Sequence, residues 1–192
     1  DEDGNANYGG TPTDASVVQA IQEMKARGIA VTLSPFLFMD SAGFPWRGRV
    51  TVSTDGTAAA REEIEDFVEG AWGFRQFILH HADLALAAGG VEAFLIGSEM
   101  VGLTRVRDET GAFPFVEKLV SIAADVKALL PGTKVSYAAD WTEYCGYVPG
   151  DGSGDVLFPL DALWADGNVD FVGVDWYPPM GDWRDGKTHL DA

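Results

Sequence analysis

Val91-Glu92-Ala93-Phe94-Leu95-Ile96-Gly97-Ser98-Glu99-Met100 is the stretch that decides how this chain of 192 residues folds. Val91 to Gly97 is a short apolar run with branched and aromatic members, the pattern of a strand buried on both faces. Such strands belong to parallel sheets with helices over them. Working outward, Gly89-Gly90 close a long helical pattern from about Ala58 to Ala88, whose inward face is Ile64, Phe67, Val68, Ala71, Phe74, Ile78, Ala82 and Ala85. Gly70 and Gly73 are positions that would divide it into two helices. On the other side a loop leads to a helix of roughly Phe115 to Leu130, with Leu119, Ile122, Ala123, Val126 and Leu130 inward, and Pro131-Gly132 stop it.

The same alternation recurs along the chain. Thr13 is a plausible N-cap for a first helix with Val17, Val18, Ile21 and Met24 on one face, and Gly28 fits its stop. Ile29 to Leu33 then forms a first strand, Lys134 to Ala139 a third, and Val169 to Val174 a fourth, after a short helix around Leu160, Leu163 and Trp164. Ala42 to Thr57, with Gly43, Pro45, Gly48 and Gly56, is a loop, with room for a small hairpin through Val50 and Val52. The tail from Gly181 is polar and expected to be loose. Repeated βα units imply an α/β fold with a parallel sheet. Four strands make half of an eight-stranded barrel, and a whole one takes about 250 residues. An incomplete barrel and an open doubly wound sheet both fit.

Composition narrows the function. Lys and Arg total 13 against 30 Asp and Glu, a formal charge of -17. That surface repels phosphate backbones and anionic lipid, so neither nucleic acid nor membrane is an expected partner. No apolar run approaches the roughly 20 residues that span a bilayer. The single Cys145 excludes an intramolecular disulfide and a Cys-rich zinc site. The polar start, Asp1-Glu2-Asp3-Gly4-Asn5, lacks Met and the pattern of a signal peptide, so the chain is expected to be a piece of something longer.

Parallel α/β proteins gather their chemistry where strands end. The first strand runs on to Asp40, the second into Ser98-Glu99-Met100, the third into Asp140-Trp141-Thr142-Glu143-Tyr144, and the fourth into Asp175-Trp176-Tyr177-Pro178-Pro179. Carboxylates with indole and phenol rings between them suit sugars, whose C–H faces stack on aromatic planes while hydroxyls pair at the edges. Glycoside hydrolysis uses two carboxyl groups, about 5–5.5 Å apart in retaining enzymes. The plainer alternatives are that Asp140 and Asp175 cap the following turns and that Trp141 and Trp176 are lids on the core. His80 and His81 fall in the long helix, one inward and one outward, with structural roles, and His189 is in the polar tail. No His metal cluster follows from that placement. Asp1 to Asn5 and Asp151 to Asp155 resemble calcium loops faintly, without the EF-hand spacing. No phosphate-binding loop, dinucleotide fingerprint or nucleophile elbow is present, so no cofactor and no metal are expected.

Tyr8-Gly9-Gly10-Thr11-Pro12-Thr13-Asp14-Ala15-Ser16-Val17-Val18, Lys25 to Phe36, Phe94-Leu95-Ile96-Gly97-Ser98-Glu99-Met100 and Val169 to Pro179 resemble the TIM-barrel-like domain of the tail host-specificity protein of gene transfer agents and related phages. That family is itself similar to retaining (β/α)8 glycoside hydrolases, especially β-mannanase-like ones. The resemblance implies that residues 1–192 are a single glycoside-hydrolase-like (β/α)8 TIM-barrel domain fragment, incomplete, with about strands 3 to 6 present. It implies that Glu99 is the catalytic acid/base, and that an aromatic on the sixth strand, Tyr177 or Trp176, lines the sugar subsite. Asp40, Ser98, Asp140, Trp141, Asp175, Trp176 and Tyr177 are the candidate substrate-binding residues. The family nucleophile, a Glu ending the seventh strand, would lie beyond Ala192, and Glu143 or Asp140 is a poor substitute. The chain by itself is therefore expected not to turn over glycosides. The implied partners are a polysaccharide or glycan and other tail proteins, in a homo-oligomer if the tail hub is symmetric. The implied location is the tail of a phage-like particle assembled in the cytoplasm. A non-catalytic carbohydrate-binding or tail-hub module is the competing reading, and a cation-dependent α/β enzyme a weaker third. The unpaired sheet edges of an incomplete barrel predict a marginal or self-associating chain.

Overall fold

The computed structural model describes residues 11–39 and 42–178. Four strands, β1 (Thr32–Leu33), β2 (Ala93–Ser98), β3 (Lys134–Asp140) and β4 (Gly173–Asp175), lie side by side in the order β1-β2-β3-β4, all parallel. Between and before them come α1 (Asp14–Ala26), a 3-10 turn at Arg47–Arg49, α2 (Ala58–Glu69), α3 (Phe74–Ala87), α4 (Val101–Thr104), α5 (Pro114–Leu129), α6 (Trp141–Tyr144) and α7 (Asp161–Trp164). The strand order separates the two architectures that the pattern left open. A doubly wound sheet reverses direction at a switch point. Here every strand sits beside its predecessor, and right-handed crossovers then put all the helices on one face. Accordingly α1 packs on α3, α3 on α5 and α5 on α7, with α2 against α3 and α5. This is TIM-barrel winding. Among the described residues the sheet does not close, and β1 and β4 are its edges.

The core lies between sheet and helices. Phe94 and Ile96 of β2, with Val135, Tyr137 and Ala139 of β3, face Ile64, Ile78, Leu119 and Ile122, all fully buried. Phe74 stacks near Phe67 and Phe115, with ring centroids 5.8 and 5.7 Å away. The long helical pattern does divide: Gly70 and Gly73 are both extended, which ends α2 and starts α3. Thr13 caps α1 through Ser16, and Gly28 in the left-handed region lets the Ile29 amide turn back onto the Met24 carbonyl at 3.0 Å. Thr57 caps α2, its hydroxyl accepting from the Ala60 amide at 3.2 Å. Thr57→Ala should lower stability by about 1 kcal/mol, read as a shift of the urea midpoint at constant slope.

Two strands are shorter than their apolar runs, for one reason. At both, side chains replace ladder hydrogen bonds. The Val31 amide donates to the Glu92 carboxylate at 2.6 Å, so β1 keeps only Thr32 and Leu33. The Asp170 carboxylate accepts from the Val135 amide at 2.6 Å, the Ser136 hydroxyl donates to the Phe171 carbonyl, and the ladder with β4 begins at Gly173. The hairpin through Val50 and Val52 does not form. The 3-10 turn at Arg47–Arg49 comes just before that segment, and the pairing in this loop is an isolated antiparallel bridge between Phe38 and Trp46.

Candidate functional site at the strand ends

The C-terminal ends of β2, β3 and β4 meet at one rim. Between Leu95 and Ser98 strand β2 carries one residue more than β3, a bulge that re-aims the chain just before Glu99. Glu99 itself has φ 50°, in the left-handed region where a residue with a side chain costs roughly 1–3 kcal/mol. Its amide donates to the Ala138 carbonyl at 2.8 Å, and three donors converge on its carboxylate. Trp46 Nε1 donates to Oε2 at 2.6 Å, Arg47 Nη2 lies 3.0 Å from the same oxygen, and the Tyr177 hydroxyl donates to Oε1 at 3.2 Å. The side chain is buried, with Glu99 only 4% exposed. The Glu99 charge, more than desolvation, holds the Tyr177 phenol above its usual range.

Arg47 is the hub. Its Nε donates to the Ser98 carbonyl at 2.8 Å and its Nη2 to the Ser98 hydroxyl at 2.6 Å, while that hydroxyl donates to Asp175 at 3.0 Å. Asp175 lies 3.8 Å from the guanidinium, and the Phe36 ring lies 4.7 Å beneath it. The loop that brings Trp46 and Arg47 here is pressed onto α4. A Cβ on Gly102 would sit 2.4 Å from the Val50 carbonyl oxygen, so only glycine allows that approach. Thr51 adds a hydroxyl bond to the Gly102 carbonyl at 2.9 Å.

Asp140 caps the following turn, the plainer of its two readings. Its carboxylate caps α6, accepting from the Thr142 amide at 2.8 Å and hydroxyl at 2.5 Å. Glu143 completes the capping box from a buried position, accepting from the Asp140 amide at 2.8 Å, the Thr104 hydroxyl at 2.6 Å and the Tyr137 hydroxyl at 3.0 Å. Burial pushes the Glu143 carboxyl up to about 7. Burial also holds Tyr137 well above its ordinary value, and its hydroxyl accepts the Met100 amide at 2.6 Å.

Beside the polar cluster, Trp141 and Trp176 meet edge to face with centroids 5.6 Å apart. Together with Tyr177 and Pro178 they line a cavity of about 150 Å³. Two larger clefts, of about 380 and 330 Å³, lie between α2 and α3 and under the opposite end of the sheet, and neither has a Trp or Tyr in its wall. Of the residues expected from sequence, the structure thus brings together Glu99, Ser98, Asp175, Tyr177, Trp176 and Trp141. It turns the Asp140 carboxylate onto α6, and Asp40 lies outside the described residues. Trp46 and Arg47 are not among the residues that the sequence singles out. Their signal is two aromatics and two arginines in Phe44-Pro45-Trp46-Arg47-Gly48-Arg49, a basic loop after a strand end in a strongly acidic chain. His80 pairs with Asp14 at 3.0 Å and His81 bonds the Phe77 carbonyl, both structural roles. Asp151 binds Arg107 and the Ser153 amide within a turn, and among the described residues no group of His, Cys, Asp and Glu is placed to hold a metal. His189 and the acidic start lie outside the described residues.

Comparison with known families agrees with this winding. Residues 72–192 match the GTA TIM-barrel-like domain. The chain belongs to that family. Residues 5–127 match Glycoside Hydrolase Family 113, so this GTA-type domain is glycoside hydrolase-like. The two matches overlap on residues 72–127, which hold β2 and Glu99. A search of curated proteins gives no match. Among the described residues no helix of the GTA-type domain is long and apolar enough to cross a membrane.

Proposed function

We propose that the strand-end site binds a cell-surface polysaccharide on behalf of a gene-transfer-agent or phage-like tail, with Glu99 as the group that protonates the glycosidic oxygen. The observation that carries this reading is the buried Glu99 carboxyl, joined through Tyr177 to an apolar wall of Trp141 and Trp176. A pyranose laid on that wall would present its linkage oxygen toward Glu99, whose later role is to activate water. Hydrolysis with retention needs a second carboxylate about 5–5.5 Å away. Asp175 is engaged by Ser98 and close to Arg47, so it is given no nucleophilic role.

A non-catalytic saccharide grip is the second reading. It is favoured by the engagement of both Glu99 oxygens with internal donors. The two readings separate cleanly. A glycan array on this chain should return binders under either, and reducing-end release by a protein carrying the complete barrel, lost in Glu99→Gln, should occur only under the first. An array with no binder removes both. Trp176→Ala and Trp141→Ala should each weaken the array's best saccharide roughly tenfold by calorimetry, since a stacked ring contributes about 0.5–1.5 kcal/mol beyond its area.

A further inference from the structure

Beneath the site lies a buried acid with no counterpart in the chemistry above. We propose that Glu143 is a positioning residue, whose one carboxyl fixes both the backbone that carries Glu99 and the turn that carries Trp141. Its functional meaning rests on the saccharide reading, but its geometry does not. On one side, the Glu143 carboxyl accepts from the Tyr137 hydroxyl at 3.0 Å, and that hydroxyl accepts the Met100 amide at 2.6 Å. Met100 directly follows Glu99, which holds a left-handed backbone. On the other side the Asp140 amide donates to Glu143 at 2.8 Å, and Asp140 precedes Trp141. Thr104 of α4 donates at 2.6 Å and closes the cluster. A chain of four residues therefore spans the base of the site, from the candidate acid to the aromatic wall.

Among the described residues, the ionisable and charged groups around Glu143 are few. Tyr137 comes from β3, and Asp140 comes from the junction of β3 and α6. Arg105, after α4, reaches the Thr142 carbonyl at 2.7 Å, and the Arg47 charge acts on Tyr137 from above. Protonated, the carboxyl gains a hydroxyl to donate and loses part of its strength as an acceptor. Three donors point at it, so the proton forces one of them to yield. The displacement passes to Met100 through Tyr137, to the start of α6 through Asp140, or to Thr104 of α4, and co-titration of Trp46 and Trp141 requires the first two.

Protein labelled with 5-fluorotryptophan tests this by fluorine NMR, with each resonance assigned by a Trp→Phe substitution. Between about pH 5.5 and pH 8.5 the Trp141 resonance and that of Trp46, which bonds Glu99, should titrate with one midpoint near 7, while exposed Trp72 stays flat. Glu143→Gln should abolish the titration. Thr104→Val, which removes a donor that favours the ionised form, should move the shared midpoint upward, and it keeps the test alive if Glu143→Gln fails to fold. A Glu143 that only caps α6 would shift the Trp141 resonance alone and leave Trp46 flat. Flat Trp46 and Trp141 signals, separate midpoints, or a midpoint indifferent to both substitutions would overturn the proposal. No saccharide is needed, so an empty glycan array sinks the functional reading alone and a missing co-titration sinks this coupling alone.

Discussion

Arg47→Met should lower the stability of the chain by about 3–5 kcal/mol, the range for removing one partner of a buried ion pair. The substitution keeps volume and removes donors. The buried Glu99 carboxylate loses the guanidinium 3.0 Å away, and the Ser98 carbonyl and hydroxyl lose theirs. The strained backbone at Glu99 then has fewer contacts to hold it. Arg47→Lys should recover only part of the loss. A single ammonium cannot reproduce a fork that reaches Ser98 and Glu99 together while its plane lies over Phe36. Arg47→Met combined with Glu99→Gln should be more stable than Arg47→Met alone, because the unpaired charge is gone. Urea unfolding of the parent, Arg47→Met, Glu99→Gln and the double variant completes the cycle. An Arg47→Met protein within about 0.5 kcal/mol of the parent would show that Arg47 does not hold the site.

That hub marks the boundary of what the sequence makes legible. Strands β2 and β3 and helix α5 are visible because apolar period and length agree, and Gly70 and Gly73 mark the break between α2 and α3. Glu99, Trp141, Trp176 and Tyr177 are visible because they directly follow strands. Strand order is not visible, since βα alternation suits a singly and a doubly wound sheet equally, and it takes the register of β1 to β4 to choose. Trp46 and Arg47 are hidden for a different reason. Their partners lie 53 and 51 residues away, in a loop with no period to anchor it. Asp140 and Glu143 show the opposite case, a local signal overshadowed by a global one. Asp140-Trp141-Thr142-Glu143 has the spacing of a capping box, yet its place after a strand points to the rim. The turn takes the Asp140 carboxylate, and the core takes that of Glu143.

The buried Glu143 also gives the chain an unusual pH profile. Its folded value, about 7, stands above the ordinary carboxylate value of 4.5. Between those two values the folded protein holds a proton that the unfolded chain has released. Stability must therefore fall as pH rises through that window, by up to about 1.4 kcal/mol per pH unit and on the order of 3 kcal/mol in all, and level off above it. The contribution is fully present below about 4.5 and is lost through about 7. Other carboxylates act in the opposite sense. Arg75 holds Glu69 down to about 2, the Ser153 amide and hydroxyl hold Asp151 down to about 2, and Arg107 holds Asp55 low. Their stabilisation is present above the ordinary carboxylate values and disappears as pH drops toward 2. His81, which burial holds below its ordinary value of 6.5, opposes the Glu143 slope in part, so thermal unfolding should show its maximum on the acid side of neutrality. In Glu143→Gln the decline from about pH 5 to pH 7 should flatten, while the steep loss below pH 4 remains. A parent chain equally stable at pH 5 and pH 7.5, or a Glu143→Gln chain with the parent's slope, would place the proton elsewhere.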